Sequence, residues 1–499
     1  MKLRKWLKRI AFVLAVLITL AALALGVENY RGRRAWETCK RELTAQGEPL
    51  DWPVPVPVPD DQNFFQTPLL APLSQWIIDP KTGGRHVNSN AVEQLGRLFA
   101  DLRPALEESR TGWRAGRFTD LAAMQTNLRR PAHSTNAALR ALLATPASRP
   151  ETDLLFVLQQ HTAELEEIRA ASRRPYGRFG IQGQDTLNVL LPHLSPLRSF
   201  GQAFAVKALA ELAAGNPDTA AEDALTVLRL ARTLRDEPIL ITTLVEYAIV
   251  ETGIQPLWEG LARHQWQDHH LTAVQDELGR LNLVDDMARG LRGERIFCLV
   301  MLDSWRRRPA DLPDESGDRS VKWLPGGFVD QNKVQIARLF QELVLPVPDP
   351  TNRLVDLRRN DLSRAELDRR FAHRTPYNVL AAMLLPAVFR AVEGAATAQS
   401  TVNLAQVACA LERYRLAEGA YPEDLNALKP RFLPSVPRDV VNGEPLIYRR
   451  PAPDRFVLYS VGLNLKDDGG RPALGKQGRP MPHALEGDWV WPCTAETRP

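Results

Sequence analysis

The residues whose types and spacing could do chemistry fall in two stretches. His264, Asp268, His269 and His270 crowd the run LARHQWQDHHL. His264 and Asp268 stand four apart, so on a helix they would share a face and offer a metal-binding or acid–base pair. Trp266 and its polar neighbours suit a turn between helices equally well. The second set is acidic. Glu246 and Glu251 lie in the apolar run ILITTLVEYAIVETGI. A carboxyl on a buried face can have a raised pKa, and glycan-cleaving enzymes need a pair of them. Five residues on a helix is a rotation of about 140° from a common face, so these two do not pair by themselves. Asp285, Asp286 and Glu294, in LVDDMARGLRGERIF, could supply the second acid. Salt bridges to Arg289, Arg292 or Arg295 would explain them as well. No phosphate-cradling GxxxxGK[ST], no GxSxG elbow and no HExxH occurs.

The totals narrow the function classes. At 499 residues the chain should hold more than one core. Its formal charge is +4, and Lys2, Arg4, Lys5, Lys8 and Arg9 precede the first apolar run. Without those five the chain is nearly neutral, so its basic pI is not a nucleic-acid footprint. Cys39, Cys298, Cys409 and Cys493 are scattered and show no zinc-type spacing. The 38 prolines point to several linkers or broken helices.

Residues 10–27, IAFVLAVLITLAALALGV, carry no charge and follow MKLRKWLKR. Eighteen residues at about 1.5 Å rise span roughly 27 Å, close to the thickness of a hydrocarbon core. This is the pattern of an uncleaved signal anchor, with Ala22-Leu23-Ala24 as the competing processing site. Arg31, Arg33, Arg34, Lys40 and Arg41 match the five positives before the span, so charge alone does not orient it. Long downstream domains translocate largely regardless of charge. The expectation is a single-pass protein of the bacterial inner membrane with its bulk on the periplasmic side.

The fold class expected is mainly α: a transmembrane helix, an α-helical hairpin bundle and a small C-terminal α+β domain. The basic tail is 1–9 and the anchor 10–27. A stalk and Pro-rich linker follow over 28–63, in which PLDWPVPVPVP reads as a stiff polyproline spacer. Residues 64–305 form the helical domain. Within it 200–234 reads as one antiparallel pair, with Gly215 as a left-handed C-terminal cap, Asn216 as N-cap and Pro217 at the first helical position. Residues 306–374 read as a linker with short helices, and 375–499 as a long helix on a small antiparallel sheet.

The last segment contains Ala410-Leu411-Glu412-Arg413-Tyr414, then Gly419-Ala420-Tyr421-Pro422, Leu425 and Leu428. Leu433-Pro434, Pro437, Asp439, Gly443, Pro445 and Tyr448 follow, then Ser460, Gly462 and Gly469-Gly470. In this order and spacing, over under a fifth of the chain, it resembles the soluble domain of the type II secretion major pseudopilin family. The resemblance implies a displayed α+β module and calcium in the final loop. The positions matching that loop are Asn464, Asp467 and Asp468, with Asp488 as a distant further ligand. The family's processing glycine and following Phe-Thr-Leu-x-Glu helix are missing. The function expected is a structural or protein-interaction role in the envelope, without enzymatic activity, with the membrane and other envelope proteins as partners. The alternative is an envelope glycan hydrolase using the acids of the helical domain.

Overall fold

The computed structural model describes residues 2–52, 56–78, 85–102, 112–130, 137–180, 191–307, 324–475, 480–481, 484 and 486–492. The middle of the Pro-rich run, the Lys81-Thr82-Gly83-Gly84 breaker, most of the 306–330 loop and Cys493 lie outside them.

The chain opens with α1 (Lys2–Ala45), a helix of 44 residues that runs without a break from the basic tail through the apolar span into the charged stretch beyond it. Short 3₁₀ turns and the pair β1 (Trp76–Ile78) and β2 (Arg85–Val87) precede α2 (Ser89–Arg97). Four short helices follow: α3 (Leu121–Leu128), α4 (Ala137–Leu143), α5 (Pro150–Gln159) and α6 (Thr162–Ala171). The long helices come next: α7 (Leu194–Ala214), α8 (Pro217–Arg232), α9 (Leu240–Ala262), α10 (Asp268–Gly279) and α11 (Leu283–Arg307). After these lie α12 (Gly326–Leu339), the pair β3 (Pro348–Asp349) and β4 (Leu354–Val355), and α13 (Leu357–Arg370). The remainder is α14 (Val379–Leu384), α15 (Val388–Glu418) and three strands. The chain is mainly helical, with an apolar helix at its N-terminus.

Local signals explain most boundaries. Gly215 adopts φ 84°, the left-handed turn that glycine enters without steric cost, and Asn216 N–H reaches back to Glu211 O at 2.9 Å. Pro217 opens α8, where its missing N–H costs nothing. Asn216 holds the N-cap position, but its side chain donates to Glu211 Oε2 at 2.8 Å and caps nothing. Pro386 lies in the 3₁₀ turn Leu385–Ala387 that separates α14 from α15.

The C-terminal strands β5 (Ile447–Ala452), β6 (Arg455–Ser460) and β7 (Trp489–Trp491) form an antiparallel sheet in that order. β5 runs on through Pro451. Proline is tolerated there because β5 is an edge strand and its register shifts between Arg449 and Ala452. The third strand, at three residues, is too short to show alternation.

The core lies around α15. Every residue from 395 to 412 is buried. α9, α10 and α11 pack against this helix, and so do β4, β6 and β7. Among the described residues two helical stretches are long and apolar enough to cross a membrane. The apolar window of Val379–Glu418 is 56 % buried, against 0 % for the N-terminal one, so the former is a core helix.

Residues 28–45, expected as a free stalk, are docked. Glu28, Gly32, Cys39 and Leu43 are buried along one face of α1, and the face packs on α12. The backbones nearly touch: a Cβ on Gly32 would lie 2.3 Å from Gly327 O, and one on Gly327 2.4 Å from Glu28 O. Asn29 Oδ1 accepts the Gly327 N–H at 2.6 Å, and Lys333 stacks 4.2 Å from the centre of the Trp36 ring. Glu48, just past the helix, accepts from Arg295 at 2.8 Å and from Arg292 at 3.0 Å. Residues that read as polar and linker-like thus anchor one long helix to the body. Replacing Gly327→Ala should force the helices apart at a cost of about 1–3 kcal/mol. The expected readout is a lowered melting temperature together with new trypsin cleavage after Arg31, Arg33 or Arg34. Unchanged cleavage would show that the close approach is dispensable.

Candidate functional site

The histidines that cluster in sequence divide in space, His264 going one way and His269 with His270 another. α9 stops at Ala262, and His264 takes a left-handed φ of 53° in the turn. That conformation costs a non-glycine residue energy, and here it carries the ring to α15. His264 Nδ1 lies 2.8 Å from Glu412 Oε1. Arg415 donates to both oxygens of Glu412, at 2.9 and 2.7 Å, and Tyr421 Oη donates at 2.9 Å. Burial alone would raise this carboxyl, but the Arg415 and His264 partners bring it down to about 2. Asp268 faces away, accepting from Arg413 Nε at 2.8 Å. The expected His264–Asp268 pair therefore does not form; each residue ties the helical array to α15 separately.

His269 and His270 converge on Asp218, in the first turn of α8, with nitrogen-to-oxygen distances of 3.6 and 2.6 Å. By proximity the three could surround a metal ion. The hydrogen bonding argues otherwise. His270 Nδ1 accepts the Gln267 N–H at 3.2 Å, so the neutral ring carries its proton on Nε2 and donates it to Asp218. A nitrogen acting as donor cannot ligate a metal. These residues close the start of α10.

Beside Glu412, a cleft of about 90 Å³ opens between α9, α15 and the sheet. Trp258, Tyr421, Phe456 and Trp491 supply aromatic walls, and His264, Asp454 and Arg455 the polar ones. Trp258 is fixed by donating Nε1–H to Pro492 O at 3.0 Å. A carboxylate holding an imidazole nitrogen is how a general base is oriented. Among the described residues no serine, threonine or cysteine lines the cleft. Sequence reasoning missed this place, because Glu412 and Tyr421 were visible only as parts of a family pattern.

The acids of the helical domain part ways. Glu251 accepts from Arg114 at 2.9 and 3.0 Å and from Trp113 Nε1 at 2.8 Å. With Gln255, which accepts the Gly112 and Trp113 N–H groups, and Glu259, which accepts the Thr119 N–H, it forms a polar stripe on α9. That stripe holds the 112–119 segment. Glu246, on the opposite side, is 1 % exposed, and among the described residues its carboxyl oxygens have no hydrogen-bond partner apart from the neighbouring Asp286 carboxyl. Burial and the neighbouring Asp286 push it well above the usual carboxylate range. Asp285 and Asp286 both pair with Arg289, and burial still lifts Asp286 to about 6. Glu294 lies about 12 Å further along α11 and is raised by burial to about 7. Arg292 and Arg295 are occupied by Glu48. The structure brings Glu246 to Asp286 and separates both from Glu251.

The acidic loop gathers Asn464, Asp468 and Asp488, and turns Asp467 outward. Asp488, 2 % exposed, accepts the N–H groups of Asp468, Gly470 and Arg471. Asp468 Oδ2 accepts from Gly487 N–H at 2.9 Å and from the Asn464 amide at 2.7 Å. Asp467 Oδ1 accepts from Tyr459 Oη and the Gly469 N–H, both at 2.8 Å. Calcium takes six to eight oxygens pointing at one centre. Here the oxygens point at N–H and O–H donors, an arrangement that holds carboxylates and does not compose a calcium shell.

The raised acids set a pH dependence. A carboxyl whose pKa rises on folding stabilises the protein in its protonated form, and that contribution is lost as pH climbs from the unfolded to the folded value. For Glu294 the window runs from 4.5 to about 7. Glu294→Gln should flatten the stability loss across that window and exceed the wild type by about 1–3 kcal/mol at pH 8. Urea titrations at pH 4 to 8 read this directly, and parallel curves would refute it. Chelation of calcium should leave the melting temperature unchanged, because the loop supplies its own donors. A rise on adding calcium would show that the loop reopens around the ion. No family model matches the chain, and no curated protein or solved structure is significantly similar to it.

Proposed function

We propose that this chain is a membrane-anchored protein of the bacterial envelope with a structural or protein-interaction role. Its bulk would lie on the periplasmic side of the inner membrane, and its C-terminal layer would be pilin-like. The observation that carries the reading is α1. Its apolar stretch is exposed from Trp6 to Val27, and the same helix then enters the body and is held there. Large exposed apolar surface on an otherwise buried-core protein marks a site that leaves water.

The residues behind the pseudopilin resemblance support the second part, because they contact one another. Gly419 ends α15 in a left-handed turn with φ 81°. Tyr448 Oη donates to Pro422 O at 2.7 Å, and Leu428 is buried. Asp439 accepts from Ser460 Oγ at 2.8 Å and from Val461 N–H at 3.0 Å. The scattered acids, which include a fully enclosed Glu246, favour this role over glycan hydrolysis.

Alkaline extraction and protease accessibility test the proposal. The protein should stay in the membrane pellet at high pH with its N-terminal residues intact. Protease added to spheroplasts should degrade the body. A soluble product lacking residues 1–27, or a body protected from outside, would overturn it.

A further inference from the structure

Where α1 enters the body, a cavity of about 420 Å³ is walled by Asn29, Tyr30, Arg33, Arg306 and Asp330, with Gly326 and Gly327 at its edge. We propose that this cavity binds the phosphodiester headgroup of an anionic phospholipid; the inference rests on α1 spanning a membrane. Depth is the first argument. The exposed apolar run ends at Val27, and Arg33 follows six residues later, about 9 Å along the helix. The polar layer of a bilayer extends about 5–8 Å beyond each face of the hydrocarbon; Asn29 and Tyr30 of the cavity wall fall within it, and the Arg33 side chain, tilted toward the helix N-terminus, reaches back into it toward the lipid phosphates. Tyr30, exposed between the two, takes the interfacial position that amphipathic aromatic rings favour.

Charge is the second. Arg33 makes no ion pair or hydrogen bond among the described residues, while neighbouring Arg31 is engaged by Glu28 at 3.3 Å. Arg306 reaches Asp330 only at 3.5 Å. Asp330 is also approached by Lys333 at 3.9 Å, and Lys333 is bound to Asp303 at 2.9 Å. Three cations thus face two carboxylates, and Arg33 is the one left over. A guanidinium fork matches a phosphodiester in shape as well as sign. The third argument is space. Two glycines line the cavity edge and add no side chain to it; a Cβ on Gly326 would meet the Arg306 guanidinium at 3.2 Å, and one on Gly327 would meet Glu28 O of α1 at 2.4 Å.

The full-length protein, reconstituted into nanodiscs of phosphatidylcholine with a minority of phosphatidylglycerol, gives the test by native mass spectrometry. Wild-type protein should retain phosphatidylglycerol about tenfold over its share, as two membrane-level arginines imply. Arg33→Gln with Arg306→Gln should reduce the enrichment to background. Arg33→Gln alone, which breaks no pairing, should lose part of it at an unchanged melting temperature. Arg31→Gln with Arg34→Gln should keep it; an equal loss there would mean diffuse attraction and overturn the site. Inorganic phosphate should not strip the lipid. If it does, and binds without lipid, the site takes a soluble anion and the lipid assignment is wrong. Protein that inserts without selecting anionic lipid sinks this inference alone, whereas protein that fails to insert sinks the membrane reading with it.

Discussion

Burying α15 on all sides is the constraint to which the rest of the structure answers. A helix enclosed over residues 395–412 must satisfy every polar side chain from within the protein. Gln399 accepts the Leu283 N–H at the start of α11, and donates to Asn403, which donates to Arg438 O. Thr401 accepts from Arg114 at 2.8 Å. Gln275 donates to Gln406 O and Phe432 O. These residues each connect α15 to a different segment, whereas Thr397 bonds within its own helix and Ser400 Oγ is buried without a partner among the described residues. Helical array and sheet are therefore two coats on one core helix.

The same balance sorts the buried acids. Glu412 and Glu294 are the same residue type, one brought down to about 2 and the other raised to about 7. Both are penalised by burial. Arginine decides between them: Arg415 answers Glu412, whereas the arginines nearest Glu294 in sequence serve Glu48. A carboxyl without a cation keeps its proton, and Glu246 beside Asp286 shows this most strongly.

Punctuation was legible in the sequence, and facing was not. Gly215, Pro217, Pro386 and Gly419 mark their boundaries because each has a backbone property that acts locally. The length and apolarity of 10–27 likewise needed no partner to be read. Residues 28–45 looked like a stalk because their surface charges dominate the composition, while Gly32, which makes the docking possible, carries no sign of its own. His264 and Asp268 were separated by one left-handed residue that periodicity does not see. In the acidic loop, composition shows oxygens and glycines but not whether N–H groups turn inward to meet them.

The unbroken course of α1 through the Gly32–Gly327 crossing has a mechanical consequence. At about 1.5 Å per residue its 44 residues form a rod of roughly 66 Å, stiff across the point where a membrane protein would ordinarily have a swivel. A tilt of the apolar end must rotate the body by the same angle, and a turn about the helix axis must swing the body around it. Whatever holds the apolar end of α1 sets the compass bearing of every surface on the protein, so if that end spans a membrane, a neighbour approaching in its plane would always meet the same side.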